Sequence, residues 1–184
     1  VSPEGQMFGV LHAHCWSRPK RKKWGRARSR HHQPIREKET FRWLEGFRQV
    51  DQWAQRYPHQ QWVSVNDREG DIYEVLQAAT APDHHAGLLV RARHDRCLVG
   101  REGKRGPSLF KYMRKRPVAG RYTVRVPRHD SHPARVVTLS IRFAPVTFSA
   151  PRYHGGEPPL SLWAVWAQEI DPPKGQEPIR WCLL

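Results

Sequence analysis

The residues best suited to chemistry lie in Val63-Ser-Val-Asn-Asp67-Arg68-Glu69-Gly70-Asp71-Ile72-Tyr73. A short apolar run that ends in a carboxylate reads as a buried strand. Its C-terminal end hands Asp67 to a turn and then a helix, which is where α/β sheets present functional groups. A carboxylate partly desolvated at that edge is costly unless a cation compensates it. Its oxygen ligands suit a hard divalent ion, Mg²⁺ or Mn²⁺. The plainer alternative is that Asp67 caps the helix and pairs with Arg68. Glu69 and Asp71 add carboxylates, and Asp71 reads as the helix N-cap rather than a ligand.

Other candidate chemistries are weaker. The eleven histidines include His12-x-His14-Cys15 and the pair His31-His32, but no second half-site completes a tetrahedral zinc set. Cys15, Cys97 and Cys182 are odd in number, widely spaced and free of any CxxC pair, which argues for a reduced compartment and against a disulfide framework. Each lies in or beside an apparent strand and reads as a small buried apolar residue rather than a nucleophile. Gly100-Arg-Glu-Gly-Lys104-Arg105-Gly-Pro107 resembles a phosphate loop only in composition, since the spacing is wrong and no helix follows. It reads as a basic turn able to touch nucleic-acid phosphates through Lys104 and Arg105.

The elements that must hold these residues alternate in the first half of the chain. Met7–Trp16 places apolar residues at every second position and predicts a strand. The basic, polar stretch Ser17–Pro34 predicts a loop. Phe41, Leu44, Phe47 or Arg48, Val50 or Asp51, and Ala54 recur near helical spacing over Glu37–Tyr57, with Pro58 as the stop. Trp62–Asp67 predicts a buried strand, Asp71–Thr80 a helix and Gly87–Arg91 another buried strand. Strand and helix in alternation imply an α/β layer. From about Asp95 helical periodicity is lost, and β-type runs follow at Arg121–Val126, Arg135–Phe143, Val146–Ser149, Leu160–Gln168 and Arg180–Leu184. The second half is expected to be all β. Trp163 and Trp166 lie three apart in one such run and so face opposite sides, one of them toward a core.

The 184 residues suffice for one domain carrying an insertion, and 38% hydrophobic content with eight Trp excludes a disordered basic tail. No apolar run approaches the roughly 20 residues that span a bilayer. The net charge of +15 is concentrated. Arg18–Arg36 contributes +9 and Arg91–Arg128 contributes +11, which leaves −5 for the remainder. Two placed basic segments with aromatics nearby (Trp24; Phe110 and Tyr112) point to a polynucleotide partner. The bland alternative is a pair of solvated loops.

A family resemblance enters at Asp67-Arg68-Glu69-Gly70-Asp71-Ile72. The block closely resembles the Asp-Arg-Glu-Ala-Asp-Ile block of bacterial insertion-sequence transposases of the DDE class, in the group with a β-rich insertion between the second Asp and the final Glu. Lys38-Glu39-Thr-Phe-Arg42-Trp43 is similar to that family's Lys-Glu-x-x-Lys-Trp at a helix start. Gln168-Glu-Ile-Asp-Pro-Pro-Lys-Gly175, followed by Pro178-Ile-Arg-Trp181-Cys-Leu-Leu184, matches a third block, and the three stand in the right order and spacing. The basic loop Arg18–Arg36 and the stretch Asp95–Pro159 match least.

The resemblance implies a partial RNase H-like core at 1–94 and a β-rich insertion subdomain at 95–184, with a final strand placed to rejoin the core. It implies DNA transposition, with phosphodiester hydrolysis and transesterification by two divalent ions, Mg²⁺ or Mn²⁺, bound by three acids. Asp67 maps onto the second acid. The first acid and the final Glu fall outside the sequence, so the chain reads as an internal piece of a longer protein and is expected to be inactive alone. Arg91 and Arg93 map onto positions facing the transposon-end backbone. Trp181 maps onto a tryptophan that stacks on a flipped base, or is simply a core residue. Family members act as homodimers on double-stranded DNA, which implies a bacterial cytoplasmic, nucleoid-associated protein with no membrane contact. A catalytically dead remnant that only binds DNA is the competing expectation, and an RNA-binding protein is a third.

Overall fold

A computed structural model describes residues 1–15, 17, 33–128 and 133–184. Most of the first basic segment, with Trp24 and the His31-His32 pair, therefore lies outside the described residues, as does Trp16. Among the described residues the fold is mixed α/β, with three α-helices and a mostly antiparallel sheet.

Helix α1 spans Phe41–Arg56, and its apolar stripe buries Leu44, Phe47 and Ala54. Pro58 lacks the N–H that another turn would need, and the helix ends just before it. Strand β1 (Val63–Asn66) leads through a 3₁₀ turn at Arg68–Gly70 into α2 (Tyr73–Ala78) and then β2 (Gly87–Val90). β1 and β2 pair in parallel, Val63 opposite Gly87 through Asn66 opposite Val90. The α2–β2 loop is tied to α1 by Asp51, whose Oδ1 accepts from the backbone N–H of His85 (2.7 Å) and Ala86 (2.8 Å). A parallel pair requires such a crossover, and α2 supplies it.

The remaining strands are β3 (Cys97–Val99), β4 (Arg105–Ser108), β5 (Gly120–Val126), β6 (Arg135–Phe148), β7 (Leu160–Glu169) and β8 (Arg180–Leu183). Helix α3 (Leu109–Arg114) follows β4. The strand order is β4-β3-β6-β7-β8, with β5 on β6. β8 also joins the parallel pair. Val90 and Leu184 exchange two backbone hydrogen bonds of 2.9 Å, and the Ala92 N–H donates to the Cys182 carbonyl at 2.7 Å. β8 thus lies between β7 and the end of β2.

One core runs through both halves of the chain. Tyr73, Leu76, Val90 and Ala92 pack with Leu98, Leu109, Met113, Phe148, Ala164, Trp166, Cys182 and Leu184. Fully burying a side chain such as Phe148 contributes about 1.5–3 kcal/mol. A second cluster of Leu44, Phe47, Ala54, Val75 and Ala86 packs α1 on α2.

Several sequence expectations are corrected. Met7–Cys15 forms no strand, and Met7, Phe8 and Val10 are exposed; alternation alone does not make a strand without an edge to pair with. The second half is not all β, because α3 buries Leu109 and Met113 in a helix too short to show periodicity. Arg135–Phe148 is one strand that carries Pro145 through, paired across to Trp163, rather than two. β1 is not buried on both faces: Ser64 points inward while Val65 is 71% exposed. Trp166 is buried and Trp163 exposed, as their spacing requires. Among the described residues, no helix is long and apolar enough to cross a membrane.

Candidate functional site

The C-terminal ends of the two parallel strands carry the site. Asp67 follows β1 and is exposed; its Oδ1 accepts from the Glu69 N–H at 2.8 Å, so it caps the 3₁₀ turn. It is not the partly desolvated carboxylate expected from the sequence, because β1 exposes one whole face at this end. Directly across, Arg91 continues β2, its N–H bonded to the Asn66 carbonyl at 3.2 Å. The Arg91 guanidinium lies over the Trp181 ring, 4.9 Å from its centroid. Burial pulls the Arg91 pKa below its ordinary value; Arg68 adds to that fall, and Asp67 opposes it. Both neighbours are therefore within electrostatic reach. The stacking follows from strand geometry: Arg91 bridges Leu183, and Trp181 lies two residues along β8 on the same face.

Two sequence blocks meet beside this cluster. Arg42, on the first turn of α1, forms an ion pair with Glu69. The same guanidinium lies 5.7 Å from the Trp43 ring centroid, and Trp43 packs into the α1–α2 core. Glu39 is exposed, and its carbonyl accepts from Arg42 at 3.4 Å. Lys38 turns elsewhere, its Nζ 5.4 Å from the Tyr153 ring centroid.

Asp71 is not a helix N-cap; Ile72 occupies that position. Its side chain is wholly buried. Oδ2 accepts from the N–H groups of Arg93 (2.6 Å) and His94 (2.9 Å), while Oδ1 pairs with Arg96 Nη1 at 2.5 Å. Arg96 Nη2 also donates to the Asp71 carbonyl at 3.0 Å. One carboxylate thus fixes the chain as it leaves β2, and with it the direction of Arg93, whose side chain is exposed. Burial beside Arg96 lowers the His94 pKa, an effect that Asp71 opposes. No sequence signal exposes this hub, since its partners lie 22 to 25 residues away.

Lys104 and Arg105 stand apart from this cluster. Both are exposed on the β3–β4 hairpin, at the β4 edge of the strand order. Lys104 pairs with Glu102 at 2.8 Å, and Arg105 Nε donates to Cys97 Sγ at 3.2 Å. The tight turn depends on two glycines: a Cβ on Gly106 would sit 2.8 Å from the Leu98 carbonyl and 3.0 Å from the Gly100 nitrogen. Cys182 is buried, which pushes its thiol pKa up to about 12 and leaves it inert.

A divalent ion at Asp67 needs further ligands. Glu69 is taken by Arg42, the Asp71 carboxylate is consumed by three hydrogen bonds, and Asp67 remains. Among the described residues, no three His, Cys, Asp or Glu side chains are grouped to hold a metal ion. Of the three carboxylates in this block, Asp67 alone is both exposed and outside an ion pair. No protein-family model matches the chain.

Proposed function

We propose that the chain is part of a metal-dependent DNA transposase of the DDE class, with 1–94 belonging to a partial RNase H-like core and 95–184 to a β-rich insertion. The supporting observation is convergence. Residues from the three resembling blocks, far apart in sequence, gather at one end of a parallel strand pair: Arg42 pairs with Glu69, and Trp181 is joined to the Asp67–Arg68 turn through Arg91, which lies in none of the blocks. The parallel β1–α2–β2 unit and the rejoining strand β8 are compatible with such a core. In this reading Asp67 gives one oxygen ligand to Mg²⁺ or Mn²⁺, with the other acids supplied from beyond these residues. Arg91 and Arg93, with Lys104 and Arg105 on the hairpin, hold double-stranded DNA at a transposon end in a homodimer. Phosphate contacts of this kind position the DNA without specifying its sequence.

A DNA-binding remnant without chemistry is the second reading, favoured by the use of Asp67 as the cap of the Arg68–Gly70 turn. Calorimetric titration of Mn²⁺ into the chain and into Asp67→Ala, with and without duplex DNA, separates the two. The transposase reading expects DNA to strengthen Mn²⁺ binding and the substitution to abolish the gain. Binding indifferent to Asp67→Ala removes this carboxylate from the site. Competition between duplex DNA and RNA at fixed salt tests the nucleic acid itself, and preference for RNA would overturn both readings.

A further inference from the structure

The sheet face opposite the main core carries a largely apolar row that is part-buried at Leu183 and Val165 and exposed at its end. Register sets the row: Arg91 opposite Leu183, Leu183 opposite Val165, and Val165 opposite Phe143. One step along, Trp163 stands opposite Pro145. Phe143 is 55% exposed and Trp163 62% exposed, with ring centroids 6.0 Å apart and planes tilted by 50°. The rings are tilted rather than stacked face to face. Single exposed apolar residues need no explanation, but two adjacent large aromatics on a bare sheet face do.

The geometry points to a stacking platform for unpaired bases, formed by Phe143 and Trp163, on a DNA strand whose backbone is held at Arg91 and Arg93. This rests on the reading that the chain binds DNA. Three considerations select this occupant. Every base presents a π-face, and aromatic side chains standing on a sheet are a recurrent way to hold single strands. The row leads directly to the Arg91–Trp181 stack, which is bordered by the exposed Arg93. Trp181 lies opposite Ala167, four residues along β7 from Trp163, so the two aromatic stations are about 14 Å apart at ~3.4 Å per residue. About four stacked nucleotides cover that distance at ~3.4 Å per charge on one strand. A second copy of the chain fits this face less well, because each carries +15 and, among the described residues, the face presents no acidic cluster to offset the other.

The contact is apolar, with only Val165 and Leu183 between Phe143 and Arg91 along the row, and this gives a distinctive readout. The full 184-residue chain and the double variant Phe143→Thr/Trp163→Thr are titrated with a labelled short oligothymidylate and with a labelled duplex over a salt series, and sedimented without DNA. Threonine keeps the strand, since it suits a pleated surface. Base–aromatic stacking of the usual strength predicts that the double variant binds the single strand about tenfold or more weakly. The slope of log affinity against log salt should stay unchanged, because no phosphate contact is lost. Duplex affinity and sedimentation should also stay unchanged, whereas Arg91→Ala should reduce the salt slope by about 1. Equal single-strand affinity of wild type and double variant overturns the platform while duplex binding still upholds the DNA reading. A wild-type dimer that the double variant dissociates assigns the face to self-association and also overturns it. Failure of the wild type to bind either DNA sinks the DNA reading itself, and the platform with it.

Discussion

Replacing Asp71 by Asn tests whether one buried carboxylate organises the basic end of the sheet. Asparagine preserves shape, and its carbonyl can still accept from the N–H groups of Arg93 and His94. Its amide then faces the Arg96 guanidinium, donor against donor, with no negative charge between them. Losing a charge-assisted hydrogen bond costs about 1.5–3 kcal/mol. Breaking a buried ion pair by removing one partner costs about 3–5 kcal/mol. Arg96 keeps 16% of its side chain exposed, so some water reaches it and the lower figures apply. The expected loss is about 3 kcal/mol, or roughly 6–12 °C in melting temperature for a chain of this size. Urea unfolding followed by tryptophan fluorescence measures it, and a double-mutant cycle with Arg96→Met should give a coupling of about 2 kcal/mol or more. DNA affinity provides an independent sign test. Charge alone predicts that removing an acid tightens binding to a polyanion. Positioning predicts the reverse, because the segment carrying Arg91 and Arg93 loses its anchor. A loss below about 0.5 kcal/mol together with tighter DNA binding would refute the reasoning.

Other predictions follow from single sites. A Cβ on Gly70 would sit 2.6 Å from Asn66 Cβ, a contact that no flexible side-chain end can relieve, so Gly70→Ala should cost about 1–3 kcal/mol in urea unfolding. This chain carries Gly where the resembling block has Ala, and an unchanged midpoint would show that the turn relaxes freely. Glu169 is buried, paired with Arg135 through two hydrogen bonds and bonded to the Ile179 N–H at 2.9 Å. The Arg135 hydrogen bond is the main cause of a pKa below the ordinary 4.5. A depressed carboxylate stabilises fully above its unfolded pKa and loses that contribution as pH falls through the folded value. Stability should therefore decline below about pH 4.5. Glu169→Gln should be less stable than wild type at neutral pH and should flatten that acid limb; parallel limbs for the two proteins would remove Glu169 as the cause.

The sequence by itself determined the local elements with strong patterns and the sign of the surface. α1 is legible because Leu44, Phe47 and Ala54 recur at helical spacing and Pro58 stops the run. β1, β2, β7 and β8 are legible as short apolar runs bounded by turn residues. The opposite facing of Trp163 and Trp166 follows from the two-residue period of a strand. Tertiary structure alone decided which edges meet and which charges are spent. Met7–Cys15 alternates like a strand but is in no strand among the described residues, while α3 and the weakly patterned β3 and β4 fold because the surrounding core accepts Leu98, Leu109 and Met113. Asp67 and Asp71 are two carboxylates four residues apart that sequence ranks in the wrong order of burial. Asp67 caps a turn in solvent, and Asp71 is sealed against Arg96. The difference arises because burial and ion pairing depend on contacts made across strands and between distant segments, and a linear pattern carries no record of those distances.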